Sequence, residues 1–215
     1  PAVFIPIAEK NGTIVPIGAW VVDESIRIFS QWKKDYRIPM ILSLNISAIQ
    51  YNRDDFVDMI LNCLKKYDLD PNFLELEITE SAYVEEYVFI ENFHDVTEKL
   101  RLLREYGIKV SLDDFGTGYS SLSYLKKLPI DTLKIDKSFI DTITMDENTR
   151  VIADSVVNMA KRLGYETIAE GVEDQDQFNY LKKIGCDCIQ GFFLGRPSTS
   201  EEIERLLLRI EESER

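Results

Sequence analysis

Short apolar segments and longer amphipathic ones alternate along this chain. Six segments read as strands: MILSLNIS at 40–47, FLELEIT at 73–79, IKVSLDD at 108–114, DTLKID at 131–136, ETIAEG at 166–171 and CDCIQG at 186–191. Between them lie runs with helical spacing of apolar residues, among them DDFVDMILNCLKKYD at 54–68, VTEKLRLLREYG at 96–107, SSLSYLKKL at 120–128 and TRVIADSVVNMAKRLG at 149–164. Gly107 and Gly164 stand where helices commonly end on glycine. Strands that alternate with helices build βαβ units, which predicts an α/β fold with a parallel sheet. No low-complexity segment or Pro/Gly/Ser-rich linker interrupts the pattern, so residues 1–215 read as a single domain.

The polar positions within the strands separate two kinds of α/β fold. No G-x-G-x-x-G opens a helix after the first strand, which weakens a dinucleotide-binding doubly wound sheet. Ser43, Asn45 and Ser47 share one face of their strand, Glu75 and Glu77 share one face of theirs, and Lys134 lies with Asp136. Strands covered on both sides should be nearly continuously apolar. Here each runs, at its C-terminal end, into a polar or charged residue: Asn45, Glu77, Asp113 with Asp114, Lys134 with Asp136, Glu170, and Gln190. Scattered solvated strand ends would be the bland explanation. Repetition at every strand favours a (β/α) barrel with its site at the C-terminal mouth.

Charge sharpens this picture. Lys and Arg number 25 against 38 Asp and Glu, a formal net charge of -13. That balance offers no basic face for duplex nucleic acid and none for an anionic membrane surface. No apolar run approaches the roughly 18 residues of a membrane span, and PAVFIPIAEKNG at the N-terminus lacks the pattern of a signal peptide. The three cysteines, Cys63, Cys186 and Cys188, with a single histidine, His94, fit neither a disulfide framework nor a zinc site.

Glu77, Asp113, Asp114, Asp136, Glu170 and nearby Glu173 place six negative charges at the strand ends, against one positive charge on Lys134. Carboxylates gathered in one mouth repel unless protons or cations relieve them. Oxygen donors with an Asn carbonyl and without His or Cys point to a hard ion such as Mg2+ or Mn2+. The adjacent pair Asp113-Asp114 points to more than one ion, because neighbouring carboxylates can serve two metals about 3.5–4 Å apart. Such a pair suits in-line displacement at phosphorus. The following F-G-T-G-Y-S-S reads equally as a mobile gate hinged at Gly116 and Gly118 or as an ordinary turn capped by Ser120 or Ser121.

Taken in order, FIPIAEKNG, LNIS, LELEITES, LDDFGTGYSSLSYLKKLPIDTLKID, IAEGVE and IQGFFLGRP closely resemble the EAL-domain family of cyclic di-GMP phosphodiesterases. The resemblance runs from about Pro1 to Pro197, and DDFGTGYSSL followed by LPID and LKID is its most specific part. It implies a modified TIM (β/α)8-type barrel that hydrolyses cyclic di-GMP to linear pGpG with two Mg2+ or Mn2+ ions. On that resemblance Asn45 and Glu77 match ligands of the first ion, Asp113 the carboxylate shared by both, and Asp114 and Glu170 ligands of the second. Lys134 matches the lysine that orients the nucleophilic water and a phosphate oxygen, and Gln190 a residue holding water or substrate. Glu80 matches the glutamate that braces the Gly-rich loop, with Glu173 and Asp136 as supporting carboxylates. Glu9, Gln190, Phe192 and Pro197 are candidates for substrate contact. The family also implies a homodimer, an upstream sensory or GGDEF domain in the whole protein, and a cytoplasmic location even where the parent is membrane-anchored.

The Glu-Ala-Leu motif that names the family belongs upstream of Phe4 and does not occur in this sequence. With it go a first-metal glutamate, a substrate-contacting Leu-x-Arg portion and the opening strands, so the barrel is expected to be N-terminally truncated, with six strands where a closed one has eight. The expectation is that the glutamate lies upstream in the whole protein; a chain that truly starts at Pro1 would be poorly stable, bind metal weakly and hydrolyse little. Two other readings remain open. A catalytically impaired EAL-like domain would act as a cyclic di-GMP receptor or interaction module. An enolase-type proton abstractor with a lysine base would also gather acids at strand ends around Mg2+.

Overall fold

In the computed structural model, residues 3–80, 93–117 and 125–213 are described. Six strands form one sheet in chain order: β1 (Leu42–Asn45), β2 (Leu74–Thr79), β3 (Lys109–Phe115), β4 (Thr132–Ile135), β5 (Glu166–Ala169) and β6 (Cys188–Ile189). Each lies within the segment expected from its pattern or runs one residue past it. The pairs β3–β4, β4–β5 and β5–β6 are parallel, with Thr132 opposite both Ser111 and Glu166, Lys134 opposite Ile168, and Ile168 opposite Cys188. The helices are α1 (Ile5–Lys10), α2 (Ile14–Asp35), α3 (Ala48–Tyr51), α4 (Phe56–Tyr67), α5 (Phe93–Glu105), α6 (Lys137–Ile140), α7 (Glu147–Leu163), α8 (Gln175–Ile184) and α9 (Ser200–Ser213). The helix expected at 120–128 lies largely outside the described residues, as do Gly118, Ser120 and Ser121 of the Gly-rich segment. No described helix is long and apolar enough to cross a membrane.

The chain divides into two compact units. The first holds the described residues of Pro1–Leu76, Glu105–Ile108 and Pro197–Arg215; the second holds those of Glu77–Arg104 and Lys109–Arg196. In the first unit α4 buries Phe56, Val57, Ile60, Cys63 and Leu64, a one-sided stripe that faces α2 with its buried Val22, Ile26 and Phe29. Tyr51 meets Phe56 edge to face at 5.6 Å. Ser47 opens α3 with a capping box closed by Gln50. The Cys63 thiol is pushed up to about 11 by burial, with Asp23 adding to the shift, so it stays protonated and unreactive.

In the second unit α7 covers β4 and β5. Asp146 caps its first turn, and Gly164 ends it in the left-handed region at φ 82°, as the sequence pattern anticipated. Between these caps Thr149, Ala153, Val157 and Ala160 form its buried stripe. Leu133 and Ile135 of β4 are fully buried on one face of that strand, which leaves Thr132 and Lys134 for the other. The loop before β4 is tied back by Asp131, which accepts from the Val110 N–H at 3.0 Å and pairs with Arg104 at 2.7 Å.

β6 is the shortest strand, because side-chain bonds replace ladder bonds at its start. Asp187 accepts from the Thr167 N–H at 2.9 Å and from the Thr167 hydroxyl at 2.7 Å. Thr167 is fully buried, so without Asp187 its amide has no water to turn to. Asp187→Ala is expected to cost about 1–3 kcal/mol of unfolding free energy, read as a lower urea midpoint with an unchanged slope, and Asp187→Asn to recover part of it.

Candidate functional site

A cluster of charged side chains stands at the C-terminal ends of the strands in the second unit. Glu77 comes from β2, Asp113 and Asp114 from β3, and Lys134 from β4; Glu170 directly follows β5. Lys134 is 1% exposed. Its Nζ lies 2.7 Å from Glu77 Oε2, 3.1 Å from Asp113 Oδ1 and 2.7 Å from Glu170 Oε1. Glu77 and Glu170 accept hydrogen bonds from the ammonium and Asp113 pairs with it by charge, so three carboxylates from three different strand ends surround it.

Consecutive residues of a regular strand point to opposite faces, which would separate Asp113 from Asp114. The backbone solves this with a bulge. Leu112 is opposite Leu133 while Phe115 is opposite Ile135, so β3 carries one residue more than β4 over this stretch. Asp114 takes the left-handed conformation at φ 56°, which a short polar side chain tolerates better than most. Its own N–H donates to Asp113 Oδ1 at 2.9 Å. As a result one carboxylate oxygen from each of Asp113, Asp114 and Glu170 lies within 4.8 Å of the others, an arrangement that could hold a metal ion.

The electrostatics follow from burial and crowding. Burial alone would depress Lys134, but the nearby Glu77, Glu170 and Asp113 carboxylates outweigh it and hold the lysine above its ordinary value. Asp114 is raised by burial, then by its like-charged neighbours Asp113 and Asp136, with Lys134 pulling the other way. Glu170 is raised chiefly by burial, against the hydrogen bond from Lys134, with Asp113 adding to the rise. The carboxylates therefore exceed in charge what one lysine neutralises, and the donor set is all oxygen. That is the chemistry a hard divalent cation satisfies.

The loops around this cluster are held by specific contacts. Glu80, fully buried, accepts from the Gly116 N–H at 2.8 Å and so fixes the start of the Gly-rich segment. Gly116 sits at φ 100° with Phe139 so close that a Cβ would overlap the ring. Asp136 caps the short α6 by accepting from the Ser138 N–H at 3.0 Å. Glu173 does not join the acidic cluster: it is exposed and paired with Lys137, a cation absent from the charge inventory drawn from the strand ends. Gln190 is exposed, and its backbone clamps β5 through bonds to Ala169 O at 2.8 Å and from Val172 N at 3.0 Å. Phe192 is 48% exposed beneath the Arg196 guanidinium, 4.3 Å from its ring centre.

The remaining candidates belong to the first unit. Asn45 ends β1 and is exposed. Glu9, on α1, accepts from the Ser47 hydroxyl at 2.8 Å. Pro197 is exposed at the start of the unit's last segment.

The family profile described as EAL domain matches residues 1–197. The chain belongs to this family. Among curated relatives it is 41% identical over 97% of its length to the signaling protein YkoW of Bacillus subtilis, and covers 25% of that protein. It is 39% identical over 94% of its length to the bifunctional diguanylate cyclase/cyclic di-GMP phosphodiesterase MucR of Pseudomonas aeruginosa, covering 29% of it. The chain thus spans little more than a quarter of the curated relatives it matches. A solved structure, the PaMucR phosphodiesterase in complex with c-di-GMP, superposes with a TM-score of 0.87 at 39% identity, over 94% of this chain and 80% of that one. The expected α/β fold of the TIM-barrel type is therefore the EAL domain's own.

Sequence reading missed Gln177. It is buried on α8, where its Oε1 accepts from the Glu173 N–H at 2.7 Å and its Nε2 donates to Ile140 O at 3.2 Å. It thereby joins the loop that follows Glu170 to the end of α6, downstream of Lys134. The signal was available, since Asp174-x-x-Gln177 is a capping-box spacing. In Gln177→Ala the Glu173 amide should exchange with solvent roughly tenfold faster, the effect of losing one such bond, measured by hydrogen–deuterium exchange with α7 as the unchanged reference.

Proposed function

We propose that this chain is the phosphodiesterase part of a larger signalling protein, and that it hydrolyses cyclic di-GMP to linear pGpG with two divalent cations, Mg2+ or Mn2+. The observation that carries the reading is the meeting of Asp113, Asp114 and Glu170 donor atoms beside Lys134 and Glu77 in a member of the EAL family. The likeness to PaMucR, solved with c-di-GMP, supports the substrate. Asp113, Asp114 and Glu170 would hold one ion; Glu77 and Asp113 match ligands of the other, for which the family resemblance also implies Asn45. Ions held there would supply positive charge against the phosphoryl oxygens and make water easier to ionise.

The chain's own residues do the rest. Lys134 stays charged and offers a point charge to a phosphate oxygen. Glu80 fixes the backbone at Gly116, and Gln177 fixes the segment behind Glu170, so the carboxylates are positioned before substrate arrives. Gln190 and Phe192 are the surfaces the second unit offers to the dinucleotide, with Glu173 and Asp136 as supporting carboxylates; for Glu9 and Pro197 the substrate contact rests on the family resemblance. Residues 1–215 act as one EAL domain. In the whole protein we place a sensory or GGDEF domain upstream, and the domain acts in the cytoplasm as a homodimer.

A protein of net charge -13 repels a twice-negative ligand unless its site is loaded with cations. Calorimetric titration of the full-length protein with cyclic di-GMP should therefore show at least tenfold weaker binding after metal is stripped with a chelator. Turnover to pGpG in Mn2+ should fall about 10²–10³-fold in Glu170→Gln, the loss expected for one charge-stabilising contact. Affinity indifferent to metal, together with full turnover by Glu170→Gln, would refute the reading.

A further inference from the structure

We infer that Lys134 is the resident counter-cation of the metal-free site, and that divalent cations load by displacing its ammonium from Asp113 and Glu170. The inference rests on the phosphodiesterase reading and adds an order of events to it. Of the three carboxylates whose oxygens converge, Asp113 and Glu170 already engage Lys134 Nζ, at 3.1 Å and 2.7 Å. Glu77 completes the set at 2.7 Å. The ammonium is thus hydrogen-bonded to Glu77 and Glu170 and ion-paired with Asp113, and its charge is already spent on carboxylates.

Two consequences follow from elementary electrostatics. Without metal, Lys134 is what allows carboxylates from three strands to stay close, since like charges at this spacing and burial repel strongly. With metal, the carboxylates acquire a stronger counter-charge and the lysine is released toward substrate. Metal loading and readiness of Lys134 are then one event, and substrate that arrives before metal meets a lysine already engaged by carboxylates. Lysine suits such an exchange because its ammonium is a compact charge on a flexible stem, whereas a guanidinium would hold carboxylates in a rigid fork.

The test uses full-length protein, with Mn2+ and Mg2+ as the probes and no turnover measurement. In Lys134→Met the melting temperature of the metal-free protein should fall, while calorimetric affinity for Mn2+ should rise at least tenfold, because the competing cation is gone. Lys134→Arg, which keeps the charge, should not tighten Mn2+. A lysine that acts only on substrate would leave Mn2+ affinity unchanged, and a purely structural one would weaken it; either result overturns the inference. Should Lys134→Met fold only when Mn2+ is present, that outcome supports it directly. Wild-type protein gives a test free of substitutions: the Lys134 15Nζ resonance should shift, and its protons exchange faster, on saturation with Mg2+. Mg2+ binding with an unmoved Lys134 resonance overturns the inference alone. Failure of the wild-type protein to bind either ion overturns the phosphodiesterase reading and this inference together.

Discussion

A lysine ammonium cannot be taken out of water without partners, because its desolvation costs several kcal/mol. Lys134 is almost wholly buried, and what makes this possible is its contact with Glu77, Asp113 and Glu170. The converse holds as well. Three buried or half-buried carboxylates, with Asp114 beside them, could not stay together without a positive charge in their midst. Neither half of this arrangement is stable alone, so the site is a set of mutually dependent charges. Such a set contributes little net stability compared with an apolar core. What it provides is an oxygen-rich, over-negative cluster whose charge deficit is left for a cation to fill.

The fold supplies the convergence. Parallel strands end on the same side of the sheet, so successive C-terminal residues from β3, β4 and β5 reach one region while being distant in sequence. The faces then do the sorting. Leu133 and Ile135 are buried among apolar side chains on one face, and Lys134 can point only to the other. At β3 ordinary alternation would send Asp114 away, and the bulge returns it. The left-handed backbone at Asp114 carries a local conformational cost that surrounding contacts hold in place, among them the bond from its own N–H to Asp113.

Much of this was legible in the sequence. The six strand segments, the helix ending at Gly164 and the polar character of every strand end were read from alternation and punctuation alone, because those signals are local. The family resemblance was legible too, through DDFGTGYSSL and LKID. What local patterns could not show is where charges pair. Glu173 looked like one more carboxylate at the mouth, but Lys137, at the start of α6, neutralises it in the open. Asp136 does stand near enough to Asp114 to raise it, but its side chain also caps α6, a second role that the strand pattern does not show. The bulge at Asp114 was invisible because it depends on the register of β3 against β4, a relation between segments rather than within one. Gln177 escaped notice for the same reason: its capping-box spacing is local, but its bond to Ile140 is not.

The charge state of Lys134 also separates the reactions that a metal-dependent barrel could perform. An enolase-type enzyme needs a lysine that gives up its proton near neutral pH, which requires burial without enough negative charge nearby to offset it. Lys134 has the burial but meets three carboxylates, and their pull outweighs desolvation, so its pKa moves up rather than down. A lysine in that state is a poor proton acceptor and a dependable cation. It suits a reaction in which negative charge builds on phosphoryl oxygens, where a fixed positive charge lowers the barrier without transferring a proton. A receptor that had given up catalysis would be free to lose members of this set. The second unit instead keeps Glu77, Asp113, Asp114, Lys134 and Glu170 in mutual reach, with Glu80 and Gln177 holding the loops around them. In the metal-free site, then, Lys134 stands as a cation and not as a base.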